Sequence, residues 1–104
     1  MAETYIINTT YAVSEQLSTS WKKWVMETLI PAAYTTGVVT DHHIYRVMSA
    51  AVDKNDHSYC VQLTTDINGV RLWKKSMEKD MQHLVAGKYG TMVLGFSTIL
   101  KSVD

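Results

Sequence analysis

The sequence predicts an α+β domain with the element order β-α-β-β-α-β, and three observations carry that prediction. Segments rich in Tyr, Ile, Thr and Val, the residues that favour a pleated surface, stand apart from two stretches whose apolar residues recur every three or four positions. A short polar segment joins the second and third pleated segments, as in a hairpin. Glycines close both helical stretches, where the last turn of a helix favours a residue that can take positive φ.

Thr4 to Val13 reads as strand one. From about Ser14 the period changes: Leu17, Trp21, Trp24, Val25, Thr28 and Ala32 stack on one helical face. Ser14 and Ser18 are both suitable caps for its first turn. Pro31 has no N–H for the carbonyl of Glu27, so the helix is expected to kink or end near Ile30, with Gly37 as a natural stop. Asp41 to Ala51 and His57 to Thr65 follow as strands two and three, joined through the polar turn Asp53-Lys54-Asn55-Asp56. An Asp66 or Asn68 cap opens the second helix, whose stripe is Val70, Trp73, Met77, Met81 and Leu84. Gly87 or Gly90 ends it, and Met92 to Leu100 forms strand four, with Gly95 as a bulge or bend.

Taken alone, the two helix-length connections imply that strands one and three are parallel neighbours at the centre of the sheet. Right-handed crossovers put both helices on one face. The architecture is then a ferredoxin-like sandwich, a four-stranded antiparallel sheet of order 4-1-3-2 beneath two helices. The other face is expected to be covered too. Strand one sets Tyr5, Ile7, Tyr11 and Val13 against Ile6 and Ala12, and strand four sets Met92, Leu94, Phe96 and Leu100 against Val93 and Ile99. Two-sided apolarity predicts a homodimer that pairs through the open sheet face.

Composition bounds the rest. The 104 residues suit a single domain over 1–104, and a hydrophobic fraction of 46% is ordinary for a globular chain. Ten basic residues balance ten acidic ones and are interspersed with them, which gives no global field for nucleic acid or an anionic membrane. No apolar run approaches the roughly 20 residues of a membrane span, and the start lacks the pattern of a signal peptide. With one cysteine, Cys60, there is no internal disulfide, and a cytoplasmic address is expected. Cys60 reads as a small core residue, and the Asn8-Thr9-Thr10 glycosylation pattern as accidental.

Candidate chemistry is sparse. His42 and His43 are adjacent on a strand and face opposite ways, His57 starts the neighbouring strand far from them, and no metal site is expected. Arg46 shares a strand side with Ile44 and Met48; it is read either as half of an interface or edge-strand ion pair or as the anchor of an acidic ligand between sheet and helices. Tyr5, Tyr11, Tyr45 and Tyr59 could add hydroxyls to such a cleft. Trp21 and Trp24 lie on the first helical stripe and read as core. The six methionines either fill that core or line an adaptable pocket.

The stretches YIINTTYAV, WKKWVMETLIPAAYTTG and HLVAGKYGTMVLGFSTILKSV resemble a bacterial family of about 100 residues known as a domain of unknown function. It is grouped with the dimeric α/β-barrel proteins, in which two ferredoxin-like units join sheet to sheet. The resemblance spans nearly the whole chain and implies that architecture, with no activity attached. Heme-degrading monooxygenases of the same group use a strand-one Asn with a Trp and a His ten residues apart on the second helix, and Asn8, Trp73 and His83 match those places. The resemblance thus implies a heme or cofactor-independent monooxygenase as one reading. On a straight helix, however, Trp73 and His83 stand roughly 80° apart. With no complete catalytic constellation, the favoured expectation is a small-molecule-binding or regulatory module without a cofactor; a purely structural interaction domain is the third.

Overall fold

The computed structural model describes residues 3–48 and 56–104. Within them β1 is Tyr5–Ser14, β2 Asp41–Arg46, β3 Asp56–Thr65 and β4 Val93–Lys101, in one sheet of order β2-β3-β1-β4. Helix α1 runs over residues 15–35 and α2 over 67–89. The predicted element order and strand order both hold. β2 ends at Arg46, so Val47 and Met48, expected in strand two, lie beyond it, and Asp56, expected in the turn, opens β3. Residues 49–51 of the expected strand and 53–55 of the turn lie outside the described residues.

Every neighbouring pair in the sheet is antiparallel, including β1 with β3, where Thr9 faces Val61. The expectation of a parallel central pair is therefore corrected. A helical crossover brings β2 back in the direction of β1, and the hairpin then reverses β3.

The register assigns the faces. Ile7, Tyr11 and Val13 of β1, with Tyr59, Val61 and Leu63 of β3 and Val93 of β4, are buried towards the helices. Trp21, Val25, Leu29, Ile30 and Ala33 of α1 cover them from one side, and Val70, Trp73, Met77, Met81, Val85 and Tyr89 of α2 from the other. Trp21 stands between Tyr11 and Tyr59, with ring centroids 5.5 and 5.1 Å away, so the middle of this layer is aromatic.

Both helices contain one widened turn. In α1 the N–H of Ile30 bonds to the carbonyl of Val25, five residues back, immediately before Pro31. Pro31 itself sits in the first turn of Ile30–Thr35, where a missing N–H costs least. The helix thus continues past its proline to Thr35. In α2 the N–H of Glu78 reaches back to the carbonyl of Trp73. One extra residue in that turn advances the buried face. The stripe accordingly passes from Met81 to Val85, while Leu84 is exposed.

Asp66 caps α2, its Oδ1 accepting from the Gly69 N–H at 3.1 Å. Gly90, at φ 61°, ends the helix. Gly95 forms no bulge; it keeps register opposite Tyr11.

The open face is uneven. Asn8, Thr10, Ser58, Cys60, Gln62 and Thr64 give its centre a polar character, with Gln62 Nε2 donating to Asn8 Oδ1 at 3.3 Å. Cys60 belongs to this face, its Sγ 3.5 Å from Thr10 Oγ1, rather than to the core. Strand parity decides this, since its neighbours Tyr59 and Val61 take the helix side. The apolar side chains gather along β4 and at Met92 just before it, where the expected strand four began: Met92, Leu94 and Phe96 are 62%, 64% and 67% exposed.

Candidate functional site

A cleft of about 230 Å³ separates α2 from β1 and the edge strand β4. Sequence explains why the layers part there. The helix-facing positions of β4 are Val93, Gly95, Ser97 and Ile99, so its middle offers a hydrogen atom and a hydroxymethyl group where large side chains fill the core elsewhere. Ala86 and Gln82 face this region from α2 and do not fill it. Packing at interior density fails locally and space remains.

The walls are apolar: Trp73, Met81 and Val85 from α2, Tyr11 and Val93 from the sheet. A polar pair, Thr9 and Ser97, sits directly across the β1–β4 ladder with hydroxyl oxygens 2.8 Å apart. Thr9 is buried, so this pair forms the inner end. Glu78 and Gln82, one helical turn apart and more exposed, form the mouth. Deeper in, a void of about 10 Å³, near the size of one water, shares Thr9, Tyr11, Trp73 and Met81 with the cleft. Burial pushes the Tyr11 phenol up to about 12, so it stays neutral through the physiological range.

Trp73 is the one residue of the Asn8–Trp73–His83 set that lines the cleft. Asn8 has the opposite strand parity from Thr9 and lies on the open face, bonded to Gln62. His83 is exposed on α2 and does not line the cleft. Within one chain the three side chains do not converge. Among the described residues that line the cleft there is no imidazole, so the Asn–Trp–His arrangement of the heme-degrading enzymes is not formed in it.

Arg46 is not buried as its strand side suggested. It is exposed on β2, the edge strand on the opposite side of the sheet from β4. It therefore cannot anchor a ligand in this cleft. His42 and His43 do face opposite ways: His42 Nδ1 lies 2.8 Å from the Tyr34 hydroxyl, while the His43 ring stacks on Tyr45. His57 joins a second polar group, its Nδ1 3.2 Å from the Tyr59 hydroxyl, which also bonds to Ser18 Oγ. These partners tie α1 to β3 beneath Trp21.

Thr9, Ser97, Glu78 and Gln82 did not stand out in the sequence as a site. The available signal was the pair of small residues Gly95 and Ser97, two apart and so on one face of a strand.

The fold and the cleft define a class: ferredoxin-like α+β proteins with a space between helix and sheet. The chain belongs to the family described as a domain of unknown function (DUF4286), which matches residues 4–103. No curated protein matches it. Among solved structures it is similar to a dimeric ferredoxin-like protein from an uncultured marine organism, at 15% identity and TM-score 0.65, covering 96% of this chain and 95% of that one. HapK from Hahella chejuensis is similar at 14% identity and TM-score 0.63, covering 97% and 93%. A candidate antibiotic biosynthesis monooxygenase from Bacillus cereus is similar at 18% identity and TM-score 0.54, covering 98% and 97%. At these identities the likeness is one of fold. Among the described residues, no helix is long and apolar enough to cross a membrane.

Proposed function

We propose that this protein is a homodimeric small-molecule-binding module whose ligand occupies the cleft between α2 and the β1–β4 edge. The observation that carries this reading is the combination of apolar walls with one hydroxyl pair, Thr9 and Ser97, at the inner end. Ligand sites are built in this way, from apolar surface and a few convergent polar groups. At about 230 Å³ the space lies below the 300–1,000 Å³ usual for drug-sized ligands, so the ligand is small.

The dimer rests on the other face. Met92, Leu94, Phe96 and Leu100 form an exposed apolar row along β4 and just before it, and a second copy laid sheet to sheet covers it. Relatives of the same fold are described as dimeric, which supports this arrangement.

Thermal melting of the purified protein against a panel of small metabolites tests the binding role. A ligand at one hundred times its Kd raises stability by about 2.7 kcal/mol, which is readily seen in a domain of this size. A ligand that raises the melting temperature of the native chain and not of Ala86→Trp, whose indole fills the cleft, supports the proposal. A shift that survives the filling places binding elsewhere and ends it.

A further inference from the structure

Resting on that reading of the cleft, we infer that it selects its ligand by charge: it takes a small apolar ring or chain that carries a primary amine, and it refuses the corresponding carboxylate.

Size comes first. An apolar cavity of about 150 Å³ is enough to hold benzene. A space of about 230 Å³ therefore accommodates one ring with a short substituent. Met81, Val85 and Val93 surround that ring with apolar surface, and Trp73 and Tyr11 add aromatic faces.

Charge decides the substituent. Among the described residues Glu78 is the one carboxyl-bearing residue that lines the cleft, and it stands at the mouth, half-buried, one turn from Gln82. Among the described residues, no Lys, Arg or His lines the space. The lysines of α2 nearest in sequence, Lys74, Lys75 and Lys79, are exposed and are not among the lining residues. A carboxylate entering the cleft would lose water, meet Glu78, and find no cation to offset either cost. An ammonium group would meet the Glu78 carboxylate and form a charge-assisted hydrogen bond.

The inner end adds a second polar contact. In the Thr9–Ser97 pair one hydroxyl hydrogen is used between the two oxygens at 2.8 Å. One hydrogen and several lone pairs remain, so the pair can accept from a ligand donor as well as give to an acceptor. It is neutral and does not help an anion at the mouth.

Three ligands of matched shape test the inference: 2-phenylethylamine, 2-phenylethanol and phenylacetate, each titrated calorimetrically into the native chain, Glu78→Gln and Ala86→Trp. The native chain is expected to bind the amine about tenfold more tightly than the alcohol, the difference between a charge-assisted and a neutral hydrogen bond. Phenylacetate is expected to show no heat of binding. Glu78→Gln should bring the amine-to-alcohol ratio to about one and leave the alcohol's Kd within twofold, since Gln keeps the shape and loses the charge. Phenylacetate binding as tightly as the amine, with Ala86→Trp abolishing both, overturns charge selection and leaves the cleft as a binding site. An amine preference that persists in Glu78→Gln also overturns it. If none of the three binds, the inference falls and the proposed site is left to the metabolite panel; if binding survives Ala86→Trp, the inference and the proposed site fall together.

Discussion

Gly95 lies directly across the ladder from Tyr11, and a Cβ placed on Gly95 would stand 2.6 Å from two carbons of the Tyr11 ring. That distance leaves no room for a methyl group, and the Thr10 carbonyl oxygen at 3.3 Å closes the other side. The same missing side chain lets the Tyr11 ring lie over β4 and helps to leave the cleft open. Gly95→Ala should therefore cost about 1–3 kcal/mol through overpacking. Urea unfolding checks it; a variant as stable as the native chain would show that the ring moves freely.

At the start of α2 a second glycine is held by contact. A Cβ on Gly69 would fall 1.7 Å from Thr65 Oγ1, and the Gly69 N–H is the donor to the Asp66 cap. Asp66→Ala removes the cap alone and should cost about 1 kcal/mol. Gly69→Ala should cost more, because it displaces Thr65 as well, and Thr65 Oγ1 donates to the Val38 carbonyl that anchors the segment before β2. The ranking of the two variants in chemical denaturation is the measurement.

Tyr11 makes alkaline stability a readout of burial. Its phenol is held up to about 12 in the folded chain because burial disfavours the phenolate. An unfolded tyrosine loses its proton near pH 10. Between these values the folded state binds the extra proton, so the contribution is fully present below about pH 10 and is lost as pH rises towards 12. The loss amounts to about 2–3 kcal/mol. Tyr11→Phe should flatten this part of the stability–pH curve, measured by urea unfolding from pH 8 to pH 11.5.

The β4 row gives the oligomer a point of attack. Phe96→Glu places a charge at the middle of the exposed apolar row and should convert a dimer to a monomer in light scattering, with an unchanged far-UV spectrum. Loss of the fold is not expected, because Phe96 points away from the helices and is 67% exposed. A native chain already monomeric at micromolar concentration would refute the sheet-to-sheet dimer.

Much of the scaffold was legible because periodicity is a strong local signal. Trp21, Val25, Trp73, Met77 and Met81 face the core as their spacing requires. The pattern failed where the helix itself departs from 3.6 residues per turn. The widened turn at Trp73–Met77 hands the buried role to Val85, and nothing in Leu84-Val85 distinguishes two apolar neighbours beforehand. Strand parity was legible, but which parity meets the helices was not. Asn8 could be placed opposite Thr9 from sequence alone, yet the side facing the cleft emerges only once β1 is seen between its two neighbours. Arg46 misled for a related reason: sharing a side with Ile44 does not bury a residue at the end of an edge strand. The cleft was least legible, since it arises from what Gly95 and Ser97 lack.

The alternation along β1 makes the strand a shared wall. Thr9 meets whatever enters the cleft, while Asn8 and Thr10, bonded to either side of it, look towards the open face. A wall used from both sides sets an occupant of the cleft and a sheet-to-sheet partner one peptide unit apart, the shortest path by which either could sense the other. Thermodynamic reciprocity then fixes the form of that conversation: whatever factor occupancy adds to pairing, pairing returns to occupancy.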